Sequence, residues 1–117
     1  MMNKFLKSTA MAALLAVPTG SLSAADPVKT EFPPVRDEYK PKIDAAIPEK
    51  LTARPKAGRK ILVFSRTEGF AHDTIPDGIY LMDKLAEKTG AFSVEHSGDM
   101  EVFTPAKLRE FDAIFFN

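Results

Sequence analysis

The stretch KILVFSRTEGFAHD, which runs from Lys60 to Asp73, decides the fold predicted for this chain. Its apolar part, Ile61 to Phe64, is a continuous run typical of a central parallel strand that is buried on both faces. The polar residues Ser65 to Glu68 end this run, and a loop containing Gly69 follows. In an open parallel sheet, such a loop lies at the carboxyl edge, where these folds bind their ligands. We therefore expect any functional site of this chain to be centred on the loop.

A helix is predicted directly after the loop. Thr74 can cap the free amides of its first turn, Asp77 can bond back to the cap residue, and Pro76 is tolerated there because its missing N–H costs nothing. Gly90 marks the end of the helix. The apolar stripe of this helix has helical spacing and consists of Ile75, Gly78, Ile79, Met82, Leu85 and Ala86.

Two further strands and a short helix follow. Alternating polar and apolar residues from Phe92 to Ser97 predict a less buried strand near an edge, with His96 as a structural residue on a face of the strand. Thr104 with Pro105 begins a short helix. Phe111 to Phe116 is a strongly apolar strand whose aromatic side chains we expect in the core. This alternation predicts an α/β fold with a parallel sheet and right-handed crossovers. Because the apolar strand runs directly into Asn117, the last residue, we expect these strands to be the first part of a larger sheet.

The residues before Lys60 divide into two segments. Met1 to Ala25 has lysines, an apolar run and then small residues, which is the pattern of a secretory signal cleaved after Ala25. The apolar run is shorter than the roughly 20 residues of a spanning helix, so we expect a periplasmic or secreted protein with no stable membrane span after cleavage. Residues 26–59 form a Pro-rich leader or linker, with one or two helical turns around Ile43 to Ile47. A disordered leader and a strap across the domain are both consistent with its scattered apolar residues.

The composition excludes several classes of function. The chain has 117 residues, which is room for one small domain, and it has no cysteine for a disulfide, a thiolate metal site or a nucleophile. Removing Lys4 and Lys7 with the signal from the 16 basic residues leaves 14, against 16 acidic ones. With no basic stripe, nucleic acid is not expected as a partner. No cofactor is predicted.

His72 is the first candidate for chemistry. It lies in the loop before the helix, where backbone amides favour an anionic or strongly polar ligand. A neutral imidazole can act there as a general base or as a hydrogen-bond partner. The alternative is that His72 and Asp73 only fix the loop and cap the helix.

The other candidates lie on the same loop or at the ends of the other strands. Glu68 can serve as an acid, a base or an acceptor of sugar hydroxyls, or it can be a solvated side chain. Asp99 follows the second strand, and parallel strands bring their carboxyl ends to one edge. No metal site is predicted, because these residues lack ligand spacing. The predicted ligand-binding residues are Thr67, Gly69, Phe70, Asp73 and Asn117.

Three stretches of the sequence resemble the ThuA-like, or trehalose-utilisation-like, family. They are KILVFSRTEGFAHDTIPDGI from Lys60 to Ile79, HSGDMEVFT from His96 to Thr104, and LREFDAIFFN from Leu108 to Asn117. The resemblance implies that residues 60–117 are the N-terminal part of a truncated ThuA-like domain. It also implies a flavodoxin-like fold similar to class I glutamine amidotransferases, without their amidotransferase activity.

The resemblance further implies a site that includes Phe70, His72 and Asp99, with Asn117 at its rim. It suggests an exported, carbohydrate-active, hydrolase-like protein that binds or processes a trehalose-like or oxidised disaccharide, with His72, Glu68 and Asp99 as catalytic residues. The alternative is a non-catalytic ligand-binding or interaction module of a larger exported protein with additional C-terminal domains. A flavin-binding protein is a third hypothesis, because the segment from Ser65 to Gly69 has a weak similarity to the phosphate loop of flavodoxins.

Overall fold

The computed structural model of the chain describes residues 28–117, so the signal predicted for Met1 to Ala25 lies outside the described residues. In this part of the chain, no helix combines the length and the apolar character that crossing a bilayer requires. The elements in chain order are β1 (Val28–Lys29), α1 (Lys40–Ala46), β2 (Lys60–Phe64), β3 (Thr67–Glu68), α2 (Ile75–Thr89), β4 (Ser93–Ser97), a 3-10 helix (Met100–Phe103), α3 (Pro105–Leu108) and β5 (Ala113–Phe116).

β2 is the central strand of a three-stranded parallel sheet with the order β4, β2, β5. Leu62 pairs with Glu95 of β4 on one side and with Ile114 of β5 on the other. Leu62 and Val63 are 0% exposed, as the continuous apolar run predicted. The predicted α/β architecture with a parallel sheet is therefore confirmed, and β4 lies at an edge of this sheet, as its alternating pattern indicated.

The aromatic residues of β5 are less buried than predicted. The ring of Phe116 packs against Phe64 and Phe103, with centroid distances of 6.0 and 5.9 Å. Phe116 is nevertheless 67% exposed, so the prediction that it is a core residue is wrong for the described part of the chain. The reason is that β5 is an outer strand of this sheet, and the described neighbours of the ring leave most of it uncovered.

α2 ends as predicted but begins differently. Gly90 has a left-handed φ of 62°, and its N–H donates to the Ala86 carbonyl at 2.9 Å. The Thr74 side chain caps no amide, because Thr74 has near-helical dihedral angles (φ −87°, ψ −9°) instead of the extended ones of a capping residue. Carbonyl oxygens take the first amides instead: His72 accepts from Ile75, and Thr74 accepts from Asp77. The predicted capping box is therefore wrong.

The Pro-rich leader forms a strap across the domain. β1 pairs antiparallel with β3, with Val28 opposite Glu68 and Lys29 opposite Thr67. Val35 is only 7% exposed, so its apolar side chain is covered by the domain. Of the two alternatives for the leader, the structure shows the strap.

α1 fastens the second half of the leader to α2. The Tyr80 hydroxyl donates to Asp44 Oδ1 at 3.1 Å, and Lys88 Nζ donates to the Ile47 carbonyl at 3.3 Å. Ile47 is 4% exposed. The helical turns predicted around Ile43 to Ile47 are thus present as α1, which begins three residues earlier, at Lys40.

Candidate functional site

The carboxyl ends of β2 and β5 mark the point where the sheet connections change side. The chain passes from β2 to β4 on one side of β2 and then to β5 on the other, and ligands of open α/β sheets bind at such points. Here Asn117 Nδ2 donates to Ser65 Oγ at 3.1 Å and to the Ile75 carbonyl at 3.0 Å. A Cβ atom on Gly78 would overlap the Asn117 side chain, so glycine is needed for this close approach. Asn117 therefore ties two strand ends to the start of α2, and it lines neither of the two cavities described next.

The larger of these two cavities, called the larger cavity below, lies over the carboxyl ends of β2 and β4 and has a volume of about 530 Å³. A further open cavity of about 590 Å³ shares Ser97 and Asp99 with it and extends along the 3-10 helix. Binding sites for small molecules commonly have volumes of roughly 300 to 1,000 Å³. Apolar residues, Val63 and Ile79, and residues with charged groups or hydroxyls both line the larger cavity, and they contribute similar amounts of surface. The polar residues that line it are Thr30, Glu31, Ser65, Arg66, His96, Ser97 and Asp99.

Arg66 is held at the wall of the larger cavity by two partners. Its Nη2 donates to Glu68 Oε1 at 2.9 Å, and its Nη1 donates to the Gly98 carbonyl at 3.3 Å. Glu68, predicted as a catalytic residue, has a side chain that is 66% exposed and lines neither cavity. In the structure, Glu68 is therefore the ion-pair partner of Arg66.

Asp99, also predicted as a catalytic residue, lines the larger cavity and begins the 3-10 helix. Its Oδ1 accepts from the Glu101 amide at 2.9 Å, and its own amide donates to Ser97 Oγ at 3.1 Å. Its other carboxylate oxygen, Oδ2, has no hydrogen-bond partner among residues 28–117. Asp99 can therefore keep its capping bond and still accept a hydrogen bond from a ligand.

The smaller cavity, of about 310 Å³, lies between the leader and the loop that precedes α2. His72 and Asp73 line it, opposite leader residues that include Phe32. Asp73 Oδ2 lies 3.6 Å from Arg36 Nη2. Of the predicted catalytic residues, His72 thus lies at the smaller cavity and Asp99 at the larger one.

The loop itself is exposed and has free donors. Gly69 has a φ of 104°, a positive value that glycine adopts readily. Phe70 is 79% exposed, and its ring makes an edge contact with His72 at a centroid distance of 5.0 Å. Between residues 69 and 72, no backbone amide donates to an acceptor within the described part of the chain. Thr67 Oγ1 is buried and also lacks a partner among the described residues.

His96 lies at the site, although the sequence prediction assigned it a structural role on a strand face. Its Nε2 is 2.7 Å from Asp83 Oδ1 of α2, and the residue lines the larger cavity. The alternation of His96 with Val94 indicated one face of β4. No local signal indicated that Asp83 would meet it there.

The leader contributes residues that sequence reasoning did not assign to the site. Thr30 and Glu31 line the larger cavity, and Glu31 also lines the smaller one. Their position depends on the pairing of β1 with β3, which the sequence pattern did not predict. Within residues 28–117, no group of three or more His, Asp or Glu residues is arranged to hold a metal ion.

Comparison with known families identifies the domain. Residues 60–117 match the family model described as ThuA, trehalose utilisation. The comparisons with curated proteins and with solved structures gave no significant match. The matched range contains β2 to β5 together with Arg66, His72 and Asp99, whereas the leader with Glu31 lies before it. Residues 60–117 of this chain therefore belong to the ThuA family and form a ThuA-like domain.

Proposed function

We propose that this ThuA-like domain recognises a sugar, trehalose or a related or oxidised disaccharide, at the carboxyl edge of its sheet. The observation that carries the proposal is the larger cavity of about 530 Å³ with its polar wall. Sugar hydroxyls both donate and accept hydrogen bonds, so they match a wall that offers carboxylates, hydroxyls and a guanidinium group. The family description, trehalose utilisation, points to the same class of ligand.

In this proposal, each polar residue of the larger cavity makes the hydrogen bond that its side chain allows. Asp99 accepts a sugar hydroxyl through Oδ2, while Arg66 donates from a position that Glu68 holds. His72 acts at the smaller cavity as a polar anchor, and it serves as the general base when turnover occurs. The predicted ligand contacts of Thr67, Gly69 and Phe70 fall on the same loop as His72, where the backbone amides of Gly69 and Phe70 have no acceptor among residues 28–117.

We also infer that the sheet is the beginning of a flavodoxin-like sheet, the fold class shared with class I glutamine amidotransferases. Within this sheet β2 is the first strand along the chain, β4 the second and β5 the third, so the spatial order is 2-1-3. This is the beginning of the flavodoxin strand order 2-1-3-4-5. An experimental structure in which β4 and β5 were neighbours would contradict this inference.

The test of sugar recognition is titration calorimetry of the purified chain with trehalose and with an oxidised derivative. Asp99→Asn keeps an oxygen for the Glu101 amide but removes the charge, so we expect about tenfold weaker binding with an unchanged melting temperature. Asp37→Asn is the matched control, because Asp37 is exposed, pairs with Lys40 and lines neither cavity. Equal affinities of wild type and Asp99→Asn would contradict the assigned role, and the absence of any sugar binding would contradict the function.

His72→Ala tests whether the smaller cavity belongs to the same site. We expect the substitution to abolish sugar turnover or to weaken binding at least tenfold, because it removes a ring that can donate or accept at the loop. Stability should change by less than about 0.5 kcal/mol, since His72 is exposed and its ring is bonded to no described residue. Unchanged turnover and affinity would remove His72 from the site.

A non-catalytic binding module is the second candidate. It is favoured by the separation of the predicted catalytic residues: His72 and Asp99 line different cavities, and Glu68 is paired with Arg66. Analysis of the sugar by NMR after incubation separates the two functions. Binding without any product supports the module, whereas a cleaved product supports the hydrolase-like enzyme.

We propose that the protein is exported, to the periplasm or the medium. The support is the signal pattern from Met1 to Ala25 in the sequence. N-terminal sequencing of the protein recovered from a bacterial host should give Asp26 as the first residue. A recovered protein that keeps residues 1–25 would contradict cleavage at this position.

A further inference from the structure

The leader is fitted against the ThuA-like domain at a position where only glycine leaves room for it. A Cβ atom on Gly98 would lie 2.5 Å from Thr30 Cβ and 2.6 Å from the Ser65 carbonyl oxygen. β1, immediately before Thr30, is held by its pairing with β3. The chain on the N-terminal side of Glu31 is therefore fixed at the carboxyl edge of the sheet.

The chain on the other side of Glu31 is fixed as well. Val35 is 7% exposed, and Arg36 Nη2 lies 3.6 Å from Asp73 Oδ2 on the loop before α2. Glu31 thus lies on a short segment that is anchored at both ends. Such a segment fixes the backbone at Glu31 before a ligand binds, so little backbone entropy is lost on binding.

Glu31 is the one residue of the described part that lines both cavities. Its carboxylate forms no hydrogen bond and no ion pair with any residue between 28 and 117, and the residue is exposed. Whichever of these two cavities holds the ligand, the Glu31 carboxylate is therefore available to it. A carboxylate only accepts hydrogen bonds, so it matches a ligand that donates several.

The charges around the larger cavity indicate whether that ligand is neutral or anionic. Glu31 and Asp99 contribute two negative charges, whereas the positive charge of Arg66 is already paired with Glu68. Two uncompensated carboxylates accept the hydroxyls of a neutral sugar and repel a phosphate or a uronate.

We propose that Glu31, which lies outside the ThuA-like domain, is a ligand-binding residue of the site and selects uncharged sugars over anionic ones. This proposal rests on the sugar recognition proposed above and names the class of sugar. It makes the leader a part of the binding site, with a specificity that residues 60–117 do not carry alone.

The test uses the full chain, trehalose as the neutral probe and trehalose 6-phosphate as the anionic one. Wild type should bind trehalose more tightly. Glu31→Gln should weaken trehalose binding several-fold and strengthen binding of the phosphate, so that the ratio of the two affinities falls about tenfold. The melting temperature should not change, because the carboxylate has no partner to lose among residues 28–117.

Glu38→Gln is the matched control, because Glu38 is an exposed glutamate of the same leader that lines neither cavity. It should leave both affinities unchanged. If wild type binds trehalose but Glu31→Gln keeps the same ratio, or if wild type prefers the phosphate, this proposal is overturned while sugar recognition stands. If wild type binds neither probe, the proposed function itself fails.

Discussion

The two ends of the parallel sheet differ in whether their charged side chains have partners within the protein. At the amino ends, Arg59 Nη1 lies 2.6 Å from Asp112 Oδ1, the Lys60 amide donates to Asp112 Oδ2 at 2.8 Å, and Lys60 Nζ lies 2.7 Å from Glu95 Oε2. At the carboxyl ends, the Glu31 carboxylate and Asp99 Oδ2 have no partner within residues 28–117, and cavities lie beside them. The charged groups named at the amino ends are therefore paired with one another, whereas at the carboxyl ends, beside the paired Arg66 and Glu68, two carboxylates remain available to a ligand.

The pKa values at the amino ends follow from this pairing. The Lys60 backbone N–H and then the Arg59 guanidinium lower the pKa of Asp112 from its usual value of 3.8. The hydrogen bond from Lys60 lowers the pKa of Glu95, and Glu95 in turn raises the pKa of Lys60. A carboxylate with a lowered pKa is stabilised in the folded state, which is the expected result when the protein itself supplies its partners.

The largest effect is expected from Gly98→Ala, which tests whether the leader packs against the carboxyl edge of the sheet. The added Cβ would lie 2.5 Å from Thr30 Cβ of the leader and 2.6 Å from the Ser65 carbonyl oxygen, so the leader and the strand ends must shift. We expect a loss of about 1–3 kcal/mol in the free energy of unfolding. Urea denaturation measures it. Gly58→Ala is the control, because a Cβ there meets nothing within 4 Å, and it should be neutral or slightly stabilising. Equal behaviour of the two variants would show that the leader does not pack as described.

A smaller effect is expected from Asn117→Ala, which removes the polar link at the carboxyl ends. Loss of the bonds to Ser65 Oγ and the Ile75 carbonyl should cost about 1–2 kcal/mol in urea denaturation. Gly78→Ala displaces the same side chain, so the double variant should lose less stability than the sum of the two single variants. Additive losses would mean that Gly78 and Asn117 do not interact.

The smallest effect is expected from Asp112→Asn, which tests the ion pair and hydrogen bond at the amino ends of the strands. Because the folded pKa of Asp112 is lowered, its contribution to stability is present above its unfolded pKa, near 3.8, and is lost as the pH falls through the folded value. Melting temperatures measured across acidic pH should therefore fall less steeply for Asp112→Asn than for wild type. Added salt should shrink the difference, since the side chain is 37% exposed. An identical pH dependence of the two proteins would contradict this pairing.

Local patterns predicted most of the fold within the ThuA-like domain. The run from Ile61 to Phe64 can be buried on both faces only in a central strand, and Gly90 adopts the left-handed conformation that ends a helix. The predicted Thr74 cap was wrong because the backbone carbonyl oxygens of His72 and Thr74 accept from the first amides of α2. The prediction for Phe116 was wrong because a hydrophobic side chain is buried only where neighbouring elements cover it.

The candidate site was predicted less completely than the fold. That ligands bind at the carboxyl edge stays a prediction; the structure shows cavities there, with Asp99 lining one and His72 lining another. This rule gave no sign that Glu68 would be engaged by Arg66 or that His96 would meet Asp83. These pairs depend on how separate elements pack, and no periodicity in the sequence records it.

The sequence by itself determined the parallel α/β architecture and the family of residues 60–117. These follow from local physics: the spacing of apolar residues, the backbone freedom of glycine and the order of the elements. Tertiary structure alone decided that the leader packs against Gly98 and brings Glu31 to both cavities. Such contacts join residues that are far apart in the chain, and their geometry is set by the packing of the whole domain.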